Sequence, residues 1–129
     1  MRIDKFITIG IVLITTAIAL GALGAHSLKN IISHSQLYSF NTGVKYQLFH
    51  GIALLVLALN RKKFSSHLKI ILFLMTTGIF LFSFSIYLLS TQNILEISFS
   101  EILGPITPIG GVILISAWTY LLFNIKKQD

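Results

Sequence analysis

The chain has 129 residues, of which 54% are hydrophobic and 11% are charged, and its mean hydropathy is +0.84. A soluble domain carries about 25% charged residues, so this composition excludes an ordinary soluble fold and favours a membrane protein. Cysteine is absent, which excludes disulfides and zinc–thiolate sites. The net charge of +6 comes from short basic clusters between apolar runs, so we expect no nucleic-acid partner. The sequence also has no HExxH motif, and we expect no bound metal.

Four apolar stretches predict an all-α, integral membrane four-helix bundle in a single domain of residues 1–129. They span residues 6–25, 44–60, 70–89 and 102–123. A helix needs about 20 apolar residues to cross the hydrocarbon, and the second stretch is short by this measure. The first stretch exceeds the apolar core of a cleaved signal peptide, about 7–15 residues, so we expect it to be retained.

The connections on one side of the bundle are expected to lie on the membrane surface. Residues 26–43 carry Leu28, Ile31, Ile32 and Tyr38 at the spacing of one face of a short surface helix. Residues 90–101 are also partly apolar, with a period that fits a strand or a helix equally well.

The positions of lysine and arginine predict the orientation. Eight of them fall on the side of the two termini and the 60–69 loop, and two, Lys29 and Lys45, fall on the other side. The eight are Arg2, Lys5, Arg61, Lys62, Lys63, Lys69, Lys126 and Lys127. Because basic loops stay in the cytoplasm, we predict that both termini are inside, in a multi-pass protein of the bacterial cytoplasmic membrane.

Polar residues near the predicted outer halves of the spans form a candidate cluster. Tyr46 and His50 share a helix face, Gln47 is three residues from His50, and Lys45 has a possible partner in Glu101. The candidate residues are His26, Lys45, Tyr46, Gln47, His50, Ser83, Ser85, Tyr87, Glu101 and Thr107. Polar groups inside a membrane usually bond to each other, so a structural clasp is predicted, with an outward-facing ligand pocket as the alternative.

The two histidines of the candidate cluster, His26 and His50, lie at similar predicted depth and would also permit a haem with two axial histidines. Nothing in their spacing requires it, and we therefore expect no cofactor.

Small residues and prolines indicate where helices pack or bend. Ala17, Gly21 and Ala25 form a smooth stripe on the first helix. In the segment LGPITPIGG, Thr107 and Pro108 fit a helix start, and a longer helix kinked at its prolines is the alternative. The residues expected to pack or to kink a helix are Gly21, Gly24, Gly104, Pro105, Pro108, Gly110 and Gly111.

Four motifs together resemble a known family. They are GALGAHSL (Gly21–Leu28), GVKYQLFH (Gly43–His50), LFSFSIYLL (Leu81–Leu89) and LGPITPIGG (Leu103–Gly111). In these motifs the chain resembles the YgdD/YwdK-like family of small bacterial membrane proteins, a domain of unknown function with eukaryotic relatives. The resemblance implies a four-helix membrane fold and no established activity. The motif residues it implies are His26, Tyr46, His50, Ser83, Tyr87, Pro105, Thr107, Pro108 and Gly110.

The pattern of polar residues does not point to an enzyme. The sequence has no carboxylate deep within a predicted span, no Ser-His-Asp order and no phosphate-binding loop. We expect a non-enzymatic protein that supports membrane integrity through contact with lipids or a membrane-protein partner, possible homo-oligomers included. The alternative is a small transporter or ligand-binding protein that uses the polar cluster.

Overall fold

The computed structural model describes residues 2–98 and 100–125, which form four long helices. These are α1 (Ile3–His26), α2 (His34–Leu59), α3 (Leu68–Leu95) and α4 (Ser100–Leu122). They contain 24, 26, 28 and 23 residues and are apolar enough to cross a membrane. At about 1.5 Å per residue each exceeds the roughly 30 Å of hydrocarbon, so the predicted all-α, four-helix membrane fold is confirmed.

Helix α2 begins at His34, whereas the predicted span began at residue 44. Its start is fixed by a capping box: the Gln36 N–H donates to the Ser33 hydroxyl at 3.2 Å, and the Ser33 N–H donates to the Gln36 side chain at 3.0 Å. The predicted surface helix within residues 26–43 is therefore wrong. Only a short 3₁₀ turn, Leu28–Asn30, lies between α1 and the start of α2 in this part of the structure.

The connection from α3 to α4 is also shorter than predicted. Helix α3 continues to Leu95 and is terminated by Glu96, whose φ of 54° is left-handed. Helix α4 begins at Ser100, and Phe99 lies outside the described residues. Of the two periods left open for residues 90–101, the structure shows the helix up to Leu95, because the polar residues at the end of α3 continue it.

Helix α4 passes through both of its prolines without a break. The prediction that Thr107 and Pro108 start a helix is wrong, and the longer helix is the alternative that the structure shows. Pro105 and Pro108 lie in the first half of α4, and each lacks the N–H that would bond to the carbonyl four residues earlier.

Each helix packs mainly against the next helix in the chain. The main hydrophobic core takes residues from all four helices, among them Phe6, Leu54, Ile71 and Ala117. It lies toward the end of the bundle where α1 begins and α4 ends.

The end of the bundle where α1 begins and α4 ends is called the basic end. It brings together the segments that carry most of the lysine and arginine residues. Arg61 donates to Asp4 at 2.9 Å, and the Ser65 N–H donates to the Asn124 carbonyl at 3.1 Å. The start of α1, the connection from α2 to α3 and the end of α4 are therefore neighbours. The side of the membrane that this end faces stays a prediction, and Lys126 and Lys127 lie outside the described residues.

Glycines set the closest helix crossings. A Cβ atom on Gly10 would lie 2.9 Å from the Gly51 carbonyl oxygen, so α1 and α2 approach backbone to backbone. A Cβ atom on Gly110 would lie 2.6 Å from the backbone nitrogen of Phe82 and 2.9 Å from the Gly78 carbonyl oxygen. Only glycine allows α3 and α4 to come this close.

The other glycines expected to pack differ in their surroundings. A Cβ atom on Gly24 would lie 3.3 Å from the Phe40 ring, and one on Gly21 would lie 3.4 Å from Val44. Gly111 has only ordinary contact distances, and Gly104 faces open space with nothing within 4 Å. The expected packing role of Gly104 is therefore not seen.

Candidate functional site

A hydrogen-bonded network crosses the bundle at Gln47, which is buried on α2. Its Nε2 donates to the Leu13 carbonyl at 2.9 Å and to the Thr16 hydroxyl at 2.7 Å, both on α1. Its Oε1 accepts from the Tyr87 hydroxyl on α3 at 2.7 Å. A single side-chain amide therefore joins three helices, and both of its ends have partners.

Two serines of α3 make further hydrogen bonds to neighbouring helices. The Ser83 hydroxyl donates to the Gly43 carbonyl of α2 at 2.8 Å. Ser85 and Thr107 share a hydrogen bond of 2.7 Å, which connects α3 to α4. Hydrogen bonds between helices are favourable in a membrane because water does not compete for the same groups.

His50 connects α2 to α4 and has a defined protonation state. The Trp118 indole N–H donates to His50 Nε2 at 3.1 Å, and His50 Nδ1 lies 2.8 Å from the Tyr46 carbonyl oxygen. An indole can only donate, so Nε2 is unprotonated and Nδ1 carries the proton that it donates to Tyr46. His50 is thus a neutral imidazole with both ring nitrogens engaged, and binding haem would require breaking one of these bonds.

These side chains form what we call the central network. Its members are Thr16, Gln47, His50, Ser83, Ser85, Tyr87, Thr107 and Trp118. The network lies near the middle of the helices, since Gln47 is near the midpoint of α2 and Ser83 is near the midpoint of α3. Ser83, Ser85, Tyr87 and Thr107 lie in the half of their helices that is away from the basic end. Gln47 and His50 lie just beyond the midpoint of α2, because that helix begins ten residues before the predicted span.

Four predicted residues are not members of this network, namely His26, Lys45, Tyr46 and Glu101. His26 and Lys45 are exposed on α1 and α2, and Glu101 is exposed in the first turn of α4. The expected pair of Lys45 and Glu101 does not form: the two ion pairs within residues 2–98 and 100–125 join Arg2 and Arg61 to Asp4.

Tyr46 takes part through its backbone and ring rather than its hydroxyl. Its carbonyl accepts from His50, and its half-exposed ring packs against the Phe82 ring with 4.7 Å between centroids.

A second feature lies at the end of the bundle opposite the basic end. A cavity of about 400 Å³ opens between the start of α2 and the start of α4, with α3 as its floor. Its lining residues are Ser35, Gln36, Ser39, Ile86, Leu89, Ser90, Gly104 and Thr107. Ser90 is only 3% exposed. Among the residues that the structure describes, its hydroxyl oxygen is the one buried side-chain nitrogen or oxygen atom that has no hydrogen-bond partner. We call this the Ser90 cavity.

Comparison with known proteins decides the family. Residues 20–111 match the model of a family described as "Protein of unknown function (DUF423)". The chain belongs to this DUF423 family. It is 39% identical to the UPF0382 membrane protein YwdK of Bacillus subtilis, over 95% of this chain and 96% of the relative. It is 32% identical to a UPF0382 membrane protein of Haemophilus influenzae, over 97% of this chain and 96% of the relative. No solved structure matches.

Membership of the DUF423 family confirms the resemblance drawn from the four sequence motifs. These relatives are named as membrane proteins, and the four spanning helices agree with that, so the chain is a multi-pass membrane protein. The matched segment contains most of the central network and the whole lining of the Ser90 cavity, whereas Thr16 and Trp118 lie outside it.

Those two residues of this DUF423 chain were missed by the sequence analysis. Thr16 was treated as part of an apolar stretch, although a polar residue inside a span usually faces the bundle interior. Trp118 lies in the fourth apolar stretch, and nothing local in the sequence could reveal that α4 places its indole beside His50. Ser90 was missed because a serine near a helix end is ordinary until its surroundings are known.

Proposed function

We propose that this chain is a non-enzymatic membrane protein that supports membrane integrity through direct contact with lipids. In this proposal the central network is a structural clasp and the ends of the bundle meet lipid headgroups. The single observation that carries the structural, non-enzymatic role is the side-chain amide of Gln47. Its donor and its acceptor are both used to join α2 to the neighbouring helices.

The bonding within the network supports a structural role. A polar group without a hydrogen-bond partner in a membrane costs several kcal/mol. Hydrogen bonds between helices therefore favour the one helix arrangement in which each polar group has its partner. His50 supports the same conclusion, because the proton on Nδ1 and the lone pair on Nε2 are both committed to neighbours. A general base needs a free lone pair within reach of a substrate proton.

The basic end supports lipid contact. A cleft of about 500 Å³ there combines apolar and basic side chains, a combination that fits the phosphate and the upper acyl chains of an anionic phospholipid. Its lining residues are Ile3, Arg61, Lys62, Phe64, Ser65, Ser66, Leu68 and Lys69. Asp4 pairs with Arg61, while Lys62 and Lys69 form no ion pair with the described residues and can meet an anionic headgroup.

The proposal is tested in a strain that lacks the gene. We expect greater permeability to a membrane-impermeant dye and greater sensitivity to envelope stress, both restored by the wild-type chain. A variant with Lys62→Gln, Lys63→Gln and Lys69→Gln should restore poorly, whereas Lys29→Gln at the opposite end should restore fully. A deletion strain that is indistinguishable from wild type would contradict the proposal.

A small ligand-binding protein is the second candidate, and the Ser90 cavity is the observation that favours it. His50 does not line this cavity, so its substitution tests a separate question: whether the central network is a clasp or also a binding site. If the network is a clasp, His50→Ala lowers thermal stability in detergent. If the network binds a ligand, His50→Ala loses that ligand and keeps its stability.

A further inference from the structure

The Ser90 hydroxyl differs from other hydroxyls on the same helices. Thr76 and Thr91 of α3 donate to the carbonyl four residues earlier at 2.8 Å, and Ser116 of α4 does the same at 2.8 Å. Ser90 has this local bond available and does not make it, although it is almost fully buried. A buried hydroxyl without a partner is unfavourable, so a group that bonds to it from the cavity would gain free energy.

The same cavity also contains a backbone acceptor without its helical donor. Pro108 has no N–H, so the Gly104 carbonyl loses the bond that residue 108 would normally donate. Gly104 lines the Ser90 cavity, and a Cβ atom at this position would meet nothing within 4 Å. The lining therefore includes an α3 residue whose hydroxyl has no partner and an α4 residue whose carbonyl lacks its helical donor.

The rest of the lining determines which ligand chemistry fits. None of the lining residues is charged: the polar ones carry hydroxyl or amide groups, and the floor adds Ile86 and Leu89. An anionic headgroup would need lysine or arginine, as at the basic end, and a cationic one would need a carboxylate. Uncharged hydroxyl groups both donate and accept, so they match Ser90 and the Gly104 carbonyl together.

The position of the cavity points to a lipid rather than a water-soluble ligand. It lies beside the first turns of α2 and α4 and the last turns of α3, where a spanning helix leaves the hydrocarbon and reaches the headgroups. Ile86 and Leu89 lie deeper on α3 than Ser90 and would contact the glycerol and the first acyl carbons.

We propose that the Ser90 cavity binds the sugar headgroup of a glycosyl diacylglycerol. The Ser90 hydroxyl donates to a sugar oxygen, and a sugar hydroxyl donates to the Gly104 carbonyl. The inference rests on the proposed function in taking the occupant to be a lipid, and it adds a second site, at the other end of the bundle, with an uncharged headgroup.

The test is native mass spectrometry of the purified full chain with equal amounts of three probes. These are monoglucosyl diacylglycerol, diacylglycerol and phosphatidylglycerol. We expect the wild-type chain to retain the glucosyl lipid most strongly. Ser90→Ala should weaken retention about fivefold to tenfold, the effect of one lost hydrogen bond. Gly104→Leu, which fills open space, should abolish it, and Ser116→Ala should leave it unchanged.

Several results would overturn the inference. Retention of diacylglycerol as strong as that of the glucosyl lipid would show that the sugar is not recognised, and stronger retention of phosphatidylglycerol would show a preference for charge. Equal retention by wild type and Ser90→Ala would exclude the proposed donor. Circular dichroism checks that Gly104→Leu is folded; if it is not, Gly104→Ala takes its place, with weaker retention expected and wild-type retention contradicting the site.

Failure of this inference is distinguishable from failure of the proposed function. The triple lysine variant changes only the basic end, so it should retain the glucosyl lipid as well as wild type does. A deletion strain with normal permeability would contradict the proposed function and leave the lipid measurement unaffected.

Discussion

Ser83 and Ser90 of α3 show how differently the middle and the end of this bundle are built. They lie seven residues apart, which is about two turns, so they share a helix face. Both are buried, at 2% and 3% exposure. Ser83 donates to the Gly43 carbonyl at 2.8 Å, whereas Ser90 has no partner and lines a cavity. The residue type is the same, and the distance to the neighbouring helix decides its role.

The comparison extends to the glycines of α4. Gly110 lies where α3 and α4 meet backbone to backbone, and Gly104 lies beside open space nearer the start of the helix. Close approach in the middle gives each polar group a partner from another helix. Separation near the end leaves the Ser90 hydroxyl without a partner from another helix.

The largest expected effect on stability is at Gly110, and the same substitution at Gly104 should have little effect. Gly110→Ala places a Cβ atom against the backbone of Phe82, which cannot move without displacing α3, and we expect a loss of about 3 kcal/mol in the free energy of unfolding. Gly104→Ala should be neutral or should gain up to about 1 kcal/mol from helix propensity. Denaturation in mixed detergent micelles measures both. Equal effects would show that the two regions are packed alike.

Loss of the Gln47 amide is the next largest effect. Gln47→Leu leaves the Tyr87 hydroxyl without its acceptor and removes a donor to the Leu13 carbonyl and the Thr16 hydroxyl. We expect a loss of about 2 kcal/mol in the same assay. Asn93→Ala removes an exposed amide near the end of α3 and should change stability by less than about 0.5 kcal/mol. A Gln47→Leu variant as stable as wild type would show that the amide holds nothing together.

The two serines give a smaller and more direct contrast. Ser83→Ala should cost about 1 kcal/mol, since it removes a hydrogen bond between α2 and α3. Ser90→Ala removes a hydroxyl without a partner, so in lipid-free detergent it should be neutral or slightly stabilising. If Ser90→Ala proved the more harmful of the two, the hydroxyl would have a structural partner after all.

The smallest effect is expected at Trp118, whose ring is partly exposed. Trp118→Phe removes the donor to His50 Nε2, and we expect a loss of about 0.5 kcal/mol, near the average for hydrogen bonds between membrane helices. Because the chain has a single tryptophan, indole Raman bands in the wild-type chain report this hydrogen bond directly. Tyr120→Phe is the control, and an indole that proves free of hydrogen bonding would contradict the contact.

Hydropathy was enough to predict four spanning helices, because the length of an apolar run depends on the chain alone. The start of α2 was missed because the segment that follows Ser33 is rich in polar side chains. The sequence did contain a signal there: Ser33 followed by Gln36 three residues later is the pattern of a capping box.

The partners of the polar residues were beyond prediction for a different reason. That Tyr46 and His50 share a face follows from helix geometry, but the contact of Gln47 with the Leu13 carbonyl depends on the register between α1 and α2. That register is set by the close approach of Gly10 and Gly51, and the sequence offers several glycines that could have served. The role of Ser90 depends on where other helices are absent, which no local pattern encodes.

The central claim is that the polar side chains in the middle of the bundle hold its helices together through their bonds to each other. A double-mutant cycle of Gln47→Leu and Tyr87→Phe tests it most directly, with unfolding free energies of the four proteins measured in mixed micelles. The account predicts a coupling free energy of about 0.6–1.5 kcal/mol between the two side chains. Effects that add to within about 0.3 kcal/mol would show that the bond between them does not stabilise the bundle, and would contradict the claim.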